Sequence, residues 1–207
     1  IYTLSLHDAL PIYQPGRCEF SDDDNIKGIL SLATRTQIWK AMLDVDDAER
    51  SYRDRTHLHM ACVRHVQFVW ERAFPGDDGI EEMLSLTQGL IDRTVDIDEA
   101  EARSGSFLND VEARHTGDPA VLRAAMVADA ASHMVDSACC RDLWAEIDEE
   151  LVDDDELLPD TLDPSYSCSV AISGATHSMP VEKTDVTARR EYWLWYLNEA
   201  VPAVLAN

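Results

Sequence analysis

Apolar residues recur along most of this chain at intervals of three and four, the spacing that gathers them on one face of a helix. Ile26, Leu30 and Ala33 begin one stripe behind the acidic Ser21-Asp22-Asp23-Asp24 cap region, and Ile38, Trp39, Met42 and Leu43 make a second, short one. From Asp47 a longer pattern sets Leu58, Cys62, Val66, Val69 and Ala73 on one face. It stops at "FPGDDG", where Pro75 and Gly76 break it. Ile80, Met83, Leu84, Thr87, Leu90 and Ile91 form the next stripe; Ile97, Ala100, Ser104, Leu108 and Val111 form another, weakened by Gly105. The clearest helix start is Asp118-Pro119, an N-cap acceptor followed by a residue whose missing N–H costs nothing at the first helical position. Behind it Ala124, Ala125, Ala128, Ala130, Ala131 and Ala138 let neighbours approach closely, which predicts a central helix. A last helix starts at Asp185, with Trp193, Tyr196, Leu197 and Ala200 on one face. Trp195 lies roughly opposite, since two residues turn a helix through about 200°. "SYSCSVAISGATHSMP" alone has some strand character. The pattern predicts an all-α fold, an antiparallel helical bundle of about six to eight helices with an acidic loop segment.

That acidic segment is "EIDEELVDDDELLPDTLD", residues 146–163, in which ten of eighteen positions are acidic and none is basic. Interspersed Leu151, Val152, Leu157, Leu158 and Leu162 can pin it to the body. The whole chain carries 40 acidic against 17 basic residues, a formal charge of −23. Such charge repels nucleic acid and anionic membrane surfaces and suits a basic partner. Apolar residues at 45% argue against disorder. Five cysteines, an odd number without a C-x-x-C pair, read as reduced thiols, and no apolar run reaches the roughly 18 residues of a membrane span. With no signal peptide visible, the expected location is the cytoplasm.

The opening "IYTLSLHDALPI" fits neither helix nor strand. Back-translated, all twelve residues match one frame of a short-read sequencing adapter, so residues 1–12 read as a fusion scar and 13–207 as a single helical domain. The chain's His-Asp pair, His7-Asp8, goes with the scar.

Chemistry-bearing patterns are sparse. His57 and His59 stand about 200° apart on one helix and cannot share a metal; His65 lies two turns from His57, and His133 is on another helix. A calcium loop counted from Asp153 would need an acidic fifth and a glycine sixth position, where the chain has Leu157 and Leu158. There is no G-x-S-x-G, no phosphate loop and no cysteine in a basic setting. Neither enzymatic activity nor a cofactor or metal is expected. Two features remain as partner-binding candidates. One is the acidic run, particularly Asp153, Asp154, Asp155, Glu156, Asp160 and Asp163. The other is the aromatic cluster Tyr192, Trp193, Trp195 and Tyr196, whose alternative is a helix buried on two sides.

"RTQIWKAML" (35–43), "ACVRHVQFVWERAFPGDD" (61–78) and "ARREYWLWYLNEAVPAV" (188–204) together resemble the fifth family of predicted bacterial immunity proteins. That resemblance implies a small, mostly helical protein encoded beside a polymorphic toxin, which it neutralises by binding. Trp39, Trp70, Phe74, Pro75, Trp193 and Trp195 fall at matching positions and are expected to be structural. Residues 103–115 and 173–184 depart from the family pattern, as in a divergent member whose toxin need not be its relatives'. The leading expectation is thus a stoichiometric toxin inhibitor whose partner is a cognate protein toxin, a basic nuclease being one such. The rival readings are a metal-dependent helical-bundle hydrolase using His57, His65 and His133, and a helical scaffold or regulator.

Overall fold

A computed structural model describes Glu19 and residues 25–145, 147–148, 151, 154 and 163–206. Among the described residues the regular elements are all helical: α1 (Leu32–Met42), α2 (Ala48–Ala73), α3 (Gly79–Ile91), α4 (Ile97–Ala113), α5 (Pro119–Cys139), α6 (Pro164–Ser173) and a 3₁₀ turn (Val181–Lys183). The chain closes with α7 (Val186–Trp195), which runs through a π-helical turn (Tyr196–Ala200) into α8 (Val201–Leu205). The fold is an all-α bundle. Six of the helices begin on a side-chain cap: Ser31, Asp47, Asp96, Asp118, Asp163 and Asp185 each accept a backbone N–H of the first turn. Each such cap stabilises by about 1 kcal/mol, and the aspartates among them also complement the positive helix end.

α5 is the hub, packing on α2, α3, α4 and α6. Its alanines at 124, 128, 130 and 131 are fully buried, so α5 presents backbone rather than bulk to its neighbours, with Val127, Met134 and Val135 filling between. Across from it α2 buries Leu58, Cys62, Val63, Val66 and Trp70, and α3 buries Ile80, Met83, Leu84, Leu86 and Leu90. Burial of each such Val, Leu or Ile contributes roughly 1.5–3 kcal/mol. Between α4 and α5 the Ser104 and Ser132 hydroxyls bond each other at 2.5 Å, satisfying two buried polar groups at one contact.

Two sequence expectations are corrected. The stripe begun at Ile26 does not form a helix. Gly28, at φ +63°, closes a turn onto Asn25, Ile26 is 59% exposed, and the first described helix starts at Leu32. The stretch with strand character is α6. Every residue from Pro164 to Ser173 is buried, so no polar stripe survives to betray the helical period. Its hydroxyls stay inside because each has a partner: Ser167 bonds Asp129 at 2.7 Å, Ser169 the Tyr166 carbonyl at 2.8 Å, and Ser173 the Ser169 carbonyl at 2.7 Å. Gly174, at φ +73°, ends the helix. Residues 1–12, Cys18 and residues 21–24 lie outside the described residues.

The "FPGDDG" block is a locked corner. Trp70 Nε1 donates to the Asp77 carbonyl at 3.1 Å, and the Gly79 N–H donates to the Asp77 carboxylate at 2.9 Å. Arg114 pairs with that carboxylate while lying 5.3 Å over Phe74. A methyl group on Gly79 would sit 2.7 Å from the Phe107 ring.

Candidate functional site

Two carboxylates of the acidic segment, at 154 and 163, are turned inward, while Asp148 is exposed. Asp154 and Asp163 are both buried against Arg35, which has no solvent exposure. The Arg35 guanidinium reaches Asp154 Oδ1 at 2.5 Å, Asp163 Oδ2 at 3.0 Å and the Leu30 carbonyl at 2.6 Å. It lies 5.3 Å from the Tyr166 ring centroid and 5.7 Å from that of Trp193. Burial works against the charge of Arg35, but Asp163 and then Asp154 hold it protonated more firmly than usual. Burial also pushes the Asp154 carboxyl up, against the pull of Arg35. These two carboxylates each tie their own stretch of chain to α1, and Asp163 also caps α6. Asp153, Asp155, Glu156 and Asp160 lie outside the described residues.

The aromatic helix is mostly core. Tyr192, Trp193 and Tyr196 are buried, and Trp39 Nε1 donates to the Tyr196 hydroxyl at 3.0 Å. Trp195 points the other way, stacked on the exposed His65 of α2 with ring centroids 3.7 Å apart. Of the four aromatics in "YWLWY", then, Trp195 alone reaches toward solvent, beside the exposed Leu194.

A pattern invisible in composition marks the surface: among the described residues, many cations are tied down. Arg123 donates to the Ala171 and Ile172 carbonyls at the end of α6. Arg55 donates to the Ser137, Cys140 and Asp142 carbonyls at the end of α5, and Arg141 to the Leu90 carbonyl at the end of α3. Arg189, Arg190 and Lys27 bond carbonyls of Ala175, Asn25 and His177. Helix C-termini carry partial negative charge, so this is where cations stabilise most. Others share carboxylates: Glu49 receives Arg141 at 2.9 Å, Arg93 at 3.0 Å and Arg53 at 3.3 Å. Slight burial opposes the Glu49 charge, yet Arg141 and Arg93 hold its carboxyl below the usual range.

One aromatic escaped the sequence reading. Trp144 is 51% exposed, far more than Trp39, Trp70 or Trp193. Its signal was the alternation Leu143-Trp144-Ala145, in which the flanking residues face inward; a lone tryptophan in a short turn carries no periodic mark.

His57 and His65 sit on α2, both pushed down by burial toward the neutral form. His133 lies on α5, 3.9 Å from Asp129. Among the described residues no group of three or more His, Cys, Asp or Glu could hold a metal ion. Cys62, Cys139, Cys140 and Cys168 are free. Burial pushes the Cys62 thiol up to about 12 and that of Cys139 to about 11, so neither is a thiolate near neutrality. No described helix is long and apolar enough to cross a membrane.

Compared with known proteins, residues 21–203 match the family model described as immunity protein Imm5. No curated protein matches the chain.

Proposed function

The chain belongs to the Imm5 family of immunity proteins, and from that premise we propose that it neutralises a cognate protein toxin by stoichiometric binding in the bacterial cytoplasm, with no turnover of its own. The observation that carries this reading is the direction of its charges. Arg55 and Arg123 are committed to helix ends and Arg35 to buried carboxylates, within a total charge of −23. A toxin that acts on nucleic acid needs a basic face to hold phosphates, and an acidic inhibitor is attracted to that face over a distance. Such steering raises association toward about 10⁸–10⁹ M⁻¹s⁻¹ at low salt. Free thiols suit a reducing compartment. Asp153, Asp155, Glu156 and Asp160 belong to the proposed electrostatic face on the strength of the sequence. Asp154 and Asp163 serve it by holding the segment to Arg35, and Trp195 is what remains of the aromatic candidate.

The test is titration against the toxin domain encoded by the neighbouring gene. Toxin activity should vanish at an equimolar ratio, and calorimetry should show a single saturable complex. Changing Asp153, Asp155 and Glu156 to their amides should slow association and flatten its salt dependence, with the fold intact. A toxin that stays fully active in tenfold molar excess of this protein would refute the proposal. So would one inactivated by substoichiometric, catalytic amounts.

A further inference from the structure

We propose that Trp144 is the anchor by which this protein grips a cationic face of its partner toxin, with the Asp142 carboxylate beside it. The inference rests on the toxin-binding reading above and assigns it a surface. At 51% exposure, a tryptophan leaves a large apolar area in water, and tryptophan is the residue most enriched where interfaces concentrate their energy. What distinguishes this one is that it is held in place. The Trp144 N–H donates to the Asp142 carboxylate at 2.7 Å, and its carbonyl accepts from the Ile147 N–H at 2.9 Å. Arg55 grips the Asp142 carbonyl at 2.9 Å while also holding the end of α5. Leu143, Ala145 and Ile147 face inward onto a small apolar cavity that Trp39, Met42 and Leu58 also line. Alternate residues thus nail the turn to the core and leave the indole projecting. A side chain presented on a fixed turn loses little conformational entropy on binding.

A second turn borders the same cavity through Leu43. Its backbone is fixed by Ser51, whose hydroxyl accepts from the Asp44 N–H at 2.7 Å. That turn exposes Val45 at 68% together with Asp46. An exposed indole beside a carboxylate combines the apolar centre and the polar margin of an interface. The chemistry it fits is a lysine or arginine side chain, which the indole face attracts through its quadrupole while the Asp142 carboxylate pairs with a neighbouring cation. A second copy of this chain is disfavoured as occupant, since two chains of −23 repel each other.

The experiment uses the full chain and a catalytically inactivated toxin domain from the neighbouring gene. Trp144→Ala should weaken binding by about 30-fold or more while leaving the melting temperature unchanged, and Trp144→Phe should restore most of the affinity. Asp142→Asn keeps the oxygen that accepts the Trp144 N–H and removes the charge. It should slow association and reduce its salt dependence without altering the fold. Oxidative footprinting should label Trp144 in the free protein and spare it in the complex. If the wild type binds and Trp144→Ala binds equally well, or if Trp144 is labelled equally in the complex, this site is wrong and the toxin-binding reading stands. If the wild type does not bind, both fall. A wild-type dimer that Trp144→Ala dissolves would make a second copy the occupant and overturn the assignment.

Discussion

Arg35 shows at the scale of one residue how this protein uses charge. A guanidinium without solvent exposure is tolerable because its planar fork meets two carboxylates and a carbonyl at once. Removing it strands Asp154 and Asp163 in the interior, and breaking a buried pair from one side costs about 3–5 kcal/mol. Arg35→Met is therefore expected to lose that much in urea unfolding. Arg35→Lys should recover only part, since one ammonium cannot span all three acceptors. A loss below about 0.5 kcal/mol for Arg35→Met would show the network to be ornamental. Nothing local in "RTQIWKAML" announces this role. Asp154 stands 119 positions away, and the acidic run looked uniform because spacing along a chain says nothing about which carboxylate meets a cation.

At the scale of an element, α6 is the instructive case. It is short, buried along its whole length and rich in serine, so propensity and periodicity both understated it. Tertiary contacts supply what the sequence lacks locally: Asp163 and Gly174 close its ends, and Arg123 reaches from α5 to the last carbonyls. Arg123→Ala should cost about 1–2 kcal/mol by leaving those carbonyls facing a lost cation. Hydrogen exchange should show the loss first in residues 170–174. Uniform loss of protection across α2 and α5 instead would mean that Arg123 acts on the whole bundle. The last helix tells a related story. Its π-helical turn at Tyr196–Ala200 immediately precedes the segment containing Pro202, whose missing N–H cannot continue an α ladder.

For the whole molecule, surplus acid makes stability depend on pH and salt. Asp54 is buried on α2, and burial pushes its carboxyl up to about 6 against the pull of Arg50, with Asp47 and Asp44 adding to the rise. The folded state then holds that proton more tightly than the unfolded chain. Stability from this group falls as pH rises from about 4 to about 6. Glu49, Asp77 and Glu81 act in the opposite sense, their carboxyls held below the usual range by Arg141, Arg114 and Arg64. Their contribution is present above the ordinary carboxylate range and is lost on stronger acidification. The expected stability maximum is mildly acidic, and added salt should raise the melting temperature by screening self-repulsion. Asp54→Asn should gain on the order of 1 kcal/mol at pH 7 and flatten the curve between pH 4 and 6. Melting curves of the two proteins that run parallel from pH 4 to 8 would remove Asp54 as the cause.

Local physics was enough to read most of the helices from the chain. Asp47, Asp118 and Asp185 cap the elements they stand before, Pro75-Gly76 stops α2, and the alanines of α5 mark the hub, because capping, breaking and close approach depend on neighbours within one or two turns. The blocks around Trp39, Trp70 and Trp193 also carried the family, since residues that build a shared core keep a shared order. What the sequence left open was the fate of each polar and aromatic side chain. That Asp154 and Asp163 face Arg35, that Tyr192 and Tyr196 are core while Trp144 projects, and that arginines close the ends of distant helices were decided by the packed bundle. The reason is physical: inward and outward are properties of a surface, and the surface exists only once helices far apart in the chain have met.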